Sequence, residues 1–142
     1  MELRQLYDFA QQQNIPICHF SLPKTGSMSL VTETWQCYIG LDPGQLDGGI
    51  QERVHLSHEL GHCVTGSFYN IYTPRERRLI QENRATKWAI EALIPVDDLD
   101  QAIAEGYTEV RELAQRFQVT EDFIRKTVSY YVYDSLTAEL YF

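Results

Sequence analysis

The sequence predicts an α+β fold: a small antiparallel sheet of about three strands, packed with an H-E-x-x-H helix and a second ligand-bearing helix, and followed by a C-terminal helical cap. Three observations carry this. Between residues 15 and 41 a short apolar run is followed by stretches, Met28 to Leu30 and Trp35 to Leu41, with a period of two, the pattern of half-buried strands. His58-Glu59-Leu60-Gly61-His62 sits in a helical pattern, and Thr73-Pro74-Arg75-Glu76 opens another helix. Beyond Ile94-Pro95, helical periodicity recurs as far as Tyr131.

The elements follow in order. Leu3, Leu6, Tyr7 and Ala10 fall at i, i+3, i+4 and i+7, an amphipathic helix over Glu2 to Gln13 that Asn14 and Pro16 end. Ile15 to Phe20 is short and apolar, Pro23 to Gly26 is a turn, and Met28 and Leu30 alternate with serines. Trp35, Cys37, Ile39 and Leu41 continue the period of two. His19, a lone histidine in a strand, reads as structural. Asp42-Pro43-Gly44 and Gly48-Gly49 mark a loop before the motif helix, which runs from about Ile50 to Val64 with Gly66 closing it.

Thr73 as N-cap, Pro74 at the first helical position and Glu76 completing a capping box start a helix that runs to about Leu93. Glu82, Ala85, Ala89 and Ala92 mark one narrow face of it, suited to close packing. Asp97 or Asp98 can cap a short helix ending at Gly106, Thr108 caps the next, and Gln118-Val119-Thr120 leads into the last. Leu113 to Tyr131 superficially resembles a DNA-binding helix-turn-helix. Its acids and bases balance, however, and its second helix opens with Glu121 and Asp122, so a packed cap is expected and no direct contact with nucleic acid. The aromatic stretch Tyr130 to Phe142 suggests docking on the domain or on a second copy, hence a homo-oligomer through the tail.

Composition agrees with one globular domain: 142 residues, 44% hydrophobic and 23% charged. A net charge of −8 argues against a protein whose main task is gripping phosphates. The N-terminus has no basic region followed by an apolar run, and no segment approaches membrane-spanning length, so the cytoplasm is expected and no membrane partner. Cys18, Cys37 and Cys63 are odd in number and widely spaced, which indicates reduced thiols rather than a disulfide framework or a metal knuckle.

Two histidines four apart on a helix lie one above the other, so His58 and His62 can present nitrogens to one ion. Glu59 is turned by ~100° from His58, beside the metal face, where a carboxylate kept off the ion can act as general base on water. Such a pair also occurs as surface or core filler, and the downstream sequence decides between them. Catalytic zinc usually takes three protein ligands, and Glu82, twenty residues after His62 on the next helix, is the candidate third. The expectation is one Zn2+ per chain. His55 lies about two turns from His62, ~10 Å along the helix, and is expected behind the ligands or at the surface. Tyr69 and Tyr72, in the loop after the motif, are candidate oxyanion donors. Arg75, Arg77, Arg78, Arg84 and Lys87 form a basic cluster, either a solvated face or a docking surface for substrate.

His58-Glu59-Leu60-Gly61-His62, followed by Glu82-Asn83-Arg84-Ala85-Thr86-Lys87-Trp88-Ala89 and Ala92-Leu93-Ile94-Pro95, resembles the ImmA/IrrE family of zinc metallopeptidases. Departures are Trp88 where phenylalanine is usual, Ala92-Leu93-Ile94 in place of a Leu-Leu-Met type run, and His55 where threonine is common. The resemblance implies a single metallopeptidase domain over 1–142, with a catalytic core over 1–95 and a helical cap and tail over 96–142. It implies zinc ligands His58, His62 and Glu82 with Glu59 as catalytic base. It also implies a protein substrate: family members act as antirepressors of phages or mobile elements, on helix-turn-helix repressors. The alternative is a non-cleaving metal-binding module that sequesters a repressor or acts in a toxin-antitoxin pair; retention of Glu59 favours catalysis.

Overall fold

A computed structural model describes residues 1–46, 48–134 and 136. Its elements are α1 (Leu3–Gln12), β1 (Ile17–His19), β2 (Ser27–Val31), β3 (Cys37–Leu41), α2 (Gly48–Thr65), α3 (Arg75–Leu93), α4 (Val96–Ala104), α5 (Val110–Phe117) and α6 (Glu121–Tyr133). The fold is α+β, with six helices and one three-stranded sheet among the described residues. No helix there is long and apolar enough to cross a membrane.

The sheet is mixed, not antiparallel throughout. Its order is β1-β3-β2, with β2 antiparallel to β3 and β1 parallel to it in the register Ile17 to Ile39, Cys18 to Gly40 and His19 to Leu41. Two reversals of direction link the strands, so β1 and β3 run the same way, and β3 lies between the other two. Burial explains the order: Ile39 and Leu41 are fully enclosed, whereas Cys18 and His19 on β1 and Leu30 on β2 stay exposed at the edges. Period-two alternation marks a strand but does not say which strand is central. Trp35 is not part of β3. It takes a left-handed φ of 64° in the turn that reverses β2 into β3, donates its N–H to the Thr32 carbonyl and leaves its ring in solvent.

The core lies between the sheet and the helices. Leu6 and Ala10 of α1, Ile39 and Leu41 of β3, Leu56 and Leu60 of α2, and Ala89, Ile90 and Leu93 of α3 form one cluster. Each fully buried leucine or isoleucine contributes about 1.5–3 kcal/mol by leaving water. α2 packs most extensively on α3, and Gly61 explains how closely: a Cβ at that position would press into the Ala85 backbone, carbonyl oxygen first. Cys37 of β3 and Cys63 of α2 form a disulfide, contrary to the expectation of reduced thiols; only Cys18 is free. A separation of 26 residues hides such a pair from inspection of spacing, and closing that loop restrains the unfolded chain by about 3 kcal/mol.

Helix starts differ from expectation in detail. Pro74, not Thr73, is the N-cap of α3 and no side chain caps it, because Thr73 Oγ1 is engaged with Asn70. Pro95 and Glu109 take the cap positions of α4 and α5, so Asp97 and Asp98 act within the first turn, where they favour the helix dipole. Thr120 does cap α6, accepting from the Phe123 N–H. Of the aromatic tail, Tyr130 donates to Glu91 and Tyr131 to the Ile94 carbonyl, while residues 135 and 137–142 lie outside the described residues.

Candidate metal centre

α2 places His58 and His62 one turn apart, and the close α2–α3 crossing at Gly61 brings Glu82 across to them. Glu82 Oε1 stands 2.8 Å from His58 Nε2 and 2.9 Å from His62 Nε2. The three donor atoms lie within 4.8 Å of one another.

The far side of each ring is also held. Gly66, at a φ of 66°, ends α2 and turns the chain so that the Ser67 carbonyl accepts from His62 Nδ1. Thr86, one turn after Glu82 on α3, puts its Oγ1 3.3 Å from His58 Nδ1. A proton kept at Nδ1 lets Nε2 give up its own to become bare, the state a ligand needs. Two imidazoles with supported Nδ1 atoms and one carboxylate are a donor set that suits a divalent ion with a position left open. Electrostatics agree with a cation site. Burial would raise the Glu82 carboxyl, but its hydrogen bonds to both histidines outweigh that and hold it well below the usual carboxylate range. Burial would lower the His62 imidazolium, but Glu82 holds it above its ordinary value.

Glu59 is buried at 7% exposure, and its Oε2 accepts from Ser27 Oγ at 2.8 Å. Ser27 Oγ also lies 2.8 Å from Nδ1 of His55, whose imidazolium is lowered by burial. Tyr69 donates to Glu82 Oε2 at 2.8 Å, and its hydroxyl is pushed up to about 12 by burial and then by that bond. Tyr72 is 85% exposed and does not line the site. All of these except Tyr72 border one cleft of about 620 Å³, walled by β2 on one side and by Phe123 and Lys126 of α6 on another. Arg75, Arg77, Arg78, Arg84 and Lys87 are exposed and outside the cleft; Arg78 donates to the Thr73 carbonyl, and Lys87 sits over the Tyr130 ring. His19 is away from the cleft, hydrogen-bonded to Tyr7.

Ser27, Thr86 and the α6 wall were not among the residues picked out by sequence. Thr86 had a signal, since it follows Glu82 by one turn and shares its face. Ser27 had a weaker one: β2 alternates Ser27 and Ser29 with Met28 and Leu30, and it is the serine face that meets α2. Nothing local marks Lys126 as a wall of a site 64 residues upstream at His62.

Searches among curated proteins and among solved structures found no match. A family model does match: the IrrE N-terminal-like domain, Peptidase_M78, over residues 10–129, a span that takes in every residue of the cleft. The chain therefore belongs to the Peptidase_M78 family of IrrE N-terminal-like domains.

Proposed function

We propose that the protein is a cytoplasmic zinc-dependent endopeptidase that cuts a helix-turn-helix repressor. One juxtaposition carries this: the carboxylate of Glu59 stands one residue from a two-histidine, one-carboxylate donor set, and both open onto the same cleft. A site built only to hold a metal for stability needs four closed positions and no adjacent base.

His58, His62 and Glu82 would hold the zinc, which would supply acidification of a bound water and polarisation of the scissile carbonyl. Glu59 takes the water's proton and delivers it to the leaving amine. Tyr69 lines the cleft and gives its one hydroxyl proton to Glu82 Oε2, so as the donor to the oxygen on which charge develops it swings that proton away from Glu82. β2 is an edge strand and borders the cleft through Ser27, Met28 and Ser29, so an extended substrate segment pairs along it. Arg75, Arg77, Arg78, Arg84 and Lys87 dock an acidic surface of the partner, since an anionic partner is repelled by most of a chain of net charge −8. The repressor as substrate is supported by the resemblance to antirepressors.

The test uses zinc-loaded protein and a candidate helix-turn-helix repressor, nominated by any such protein that a neighbouring gene encodes. Glu59→Gln keeps shape but removes the base, so zinc content and repressor binding should persist while cleavage falls by at least about 100-fold. A Glu59→Gln variant that relieves repression as fully as the parent would sink the catalytic reading and leave the sequestering function.

A further inference from the structure

We propose that Ser27 is a positioning residue for Glu59, and that His55 sets the direction of the Ser27 hydroxyl. The inference rests on Glu59 being the base.

The hydroxyl of Ser27 has one proton and two neighbours, Glu59 Oε2 and His55 Nδ1, each at 2.8 Å. A carboxylate has no proton to give, so Ser27 must donate to Glu59. Its oxygen then accepts from His55, which fixes the proton of that ring on Nδ1. The result is a directed chain, His55 Nδ1–H to Ser27 Oγ–H to Glu59 Oε2. It pins one oxygen of a buried carboxylate and leaves Oε1 to accept the proton of the water. The local backbone is shaped for it. Gly26, just before β2, packs on the Leu46 side chain ahead of α2, where a Cβ would meet it at 2.5 Å, and a Cβ there would touch His55 Cε1 at an ordinary 3.5 Å. Ser27 also belongs to the edge strand that borders the cleft, so the strand that receives substrate is the strand that aligns the base.

The probe is acetohydroxamate, a small metal chelator whose hydroxyl proton must be taken up by a base beside the ion when it binds. Its affinity for the zinc-loaded full chain, measured by calorimetry, reads the alignment of Glu59 without needing a substrate. Ser27→Ala and His55→Leu should weaken it about tenfold, the lower end of what loss of an outer hydrogen-bond partner costs at a metal site, with zinc content unchanged. Ser27→Thr keeps the hydroxyl and His55→Asn keeps an N–H at the Nδ1 position, so each should recover most of the loss. His55→Gln, which carries its N–H where Nε2 lies, should not. Equal weakening by Ser27→Ala and Ser27→Thr, or no weakening by Ser27→Ala, would overturn the proposal. Glu59→Gln separates the two levels: if it binds acetohydroxamate as tightly as the parent, the assignment of Glu59 as base fails and the proposal with it.

Discussion

His62 is the most constrained side chain of the centre, 5% exposed, with Nδ1 on the Ser67 carbonyl and Nε2 on Glu82. In the metal-free chain burial pulls its imidazolium down, but Glu82 holds it above 6.5. A group held more protonated in the fold stabilises the metal-free protein below 6.5, and that contribution is lost as pH rises through the raised value. Metal binding has the opposite dependence, because an imidazolium is no ligand and its proton must leave. Zinc affinity should therefore be full above the raised value and fall as pH drops below it, by up to about tenfold per pH unit for the one proton. Calorimetric titration in two buffers of different ionisation enthalpy checks this by counting protons released at pH 6.5. Affinity that stays flat across this range would mean that His62 gives up no proton to the metal.

Among the elements, the contact between α2 and α3 decides whether a site exists, and it was largely legible. H-E-x-x-H names two donors and a base, and Glu82 heads a face of small residues, Ala85 and Ala89, that are completely buried against α2. Helical periodicity exposes such faces because it is local. Strand order, the Cys37–Cys63 bond and the Ser27–Glu59 bond were not legible, since each depends on how separate elements pack and no local motif or periodicity marks the partner. Gly61 at the crossing gives the sharpest element-level prediction. Gly61→Ala puts a methyl into the Ala85 backbone, which has no rotamer by which to move aside. It should destabilise the chain by about 1–3 kcal/mol through overpacking and displace Glu82 from the histidines. Urea unfolding and zinc titration measure both effects; unchanged zinc affinity would show that the crossing distance does not set the site.

Across the whole molecule, Arg53 ties three parts of the chain together. Its guanidinium, 7% exposed, donates to the carbonyls of Met1, Phe117 and Gln118, so the N-terminus and the cap are both fastened to the motif helix. The N-terminal amine adds a bond to the Ala92 carbonyl at the end of α3. Arg53→Met retains most of the apolar stem but leaves those carbonyls without a partner, and should cost about 2–3 kcal/mol in urea unfolding. Zinc affinity of the folded variant should be nearly unchanged, because Arg53 touches no ligand. Equal stability of variant and parent would mean that the cap is held by its apolar contacts alone.

The metal centre requires one ion at one place. Anomalous scattering at the zinc edge, from crystals of protein loaded with one equivalent of zinc, locates it directly. One peak per chain is expected, at about 2.0–2.2 Å from Nε2 of His58 and of His62 and from a Glu82 carboxylate oxygen, with Glu59 outside bonding distance. A peak elsewhere, a peak bonded to Glu59, or no peak in the cleft would contradict the account.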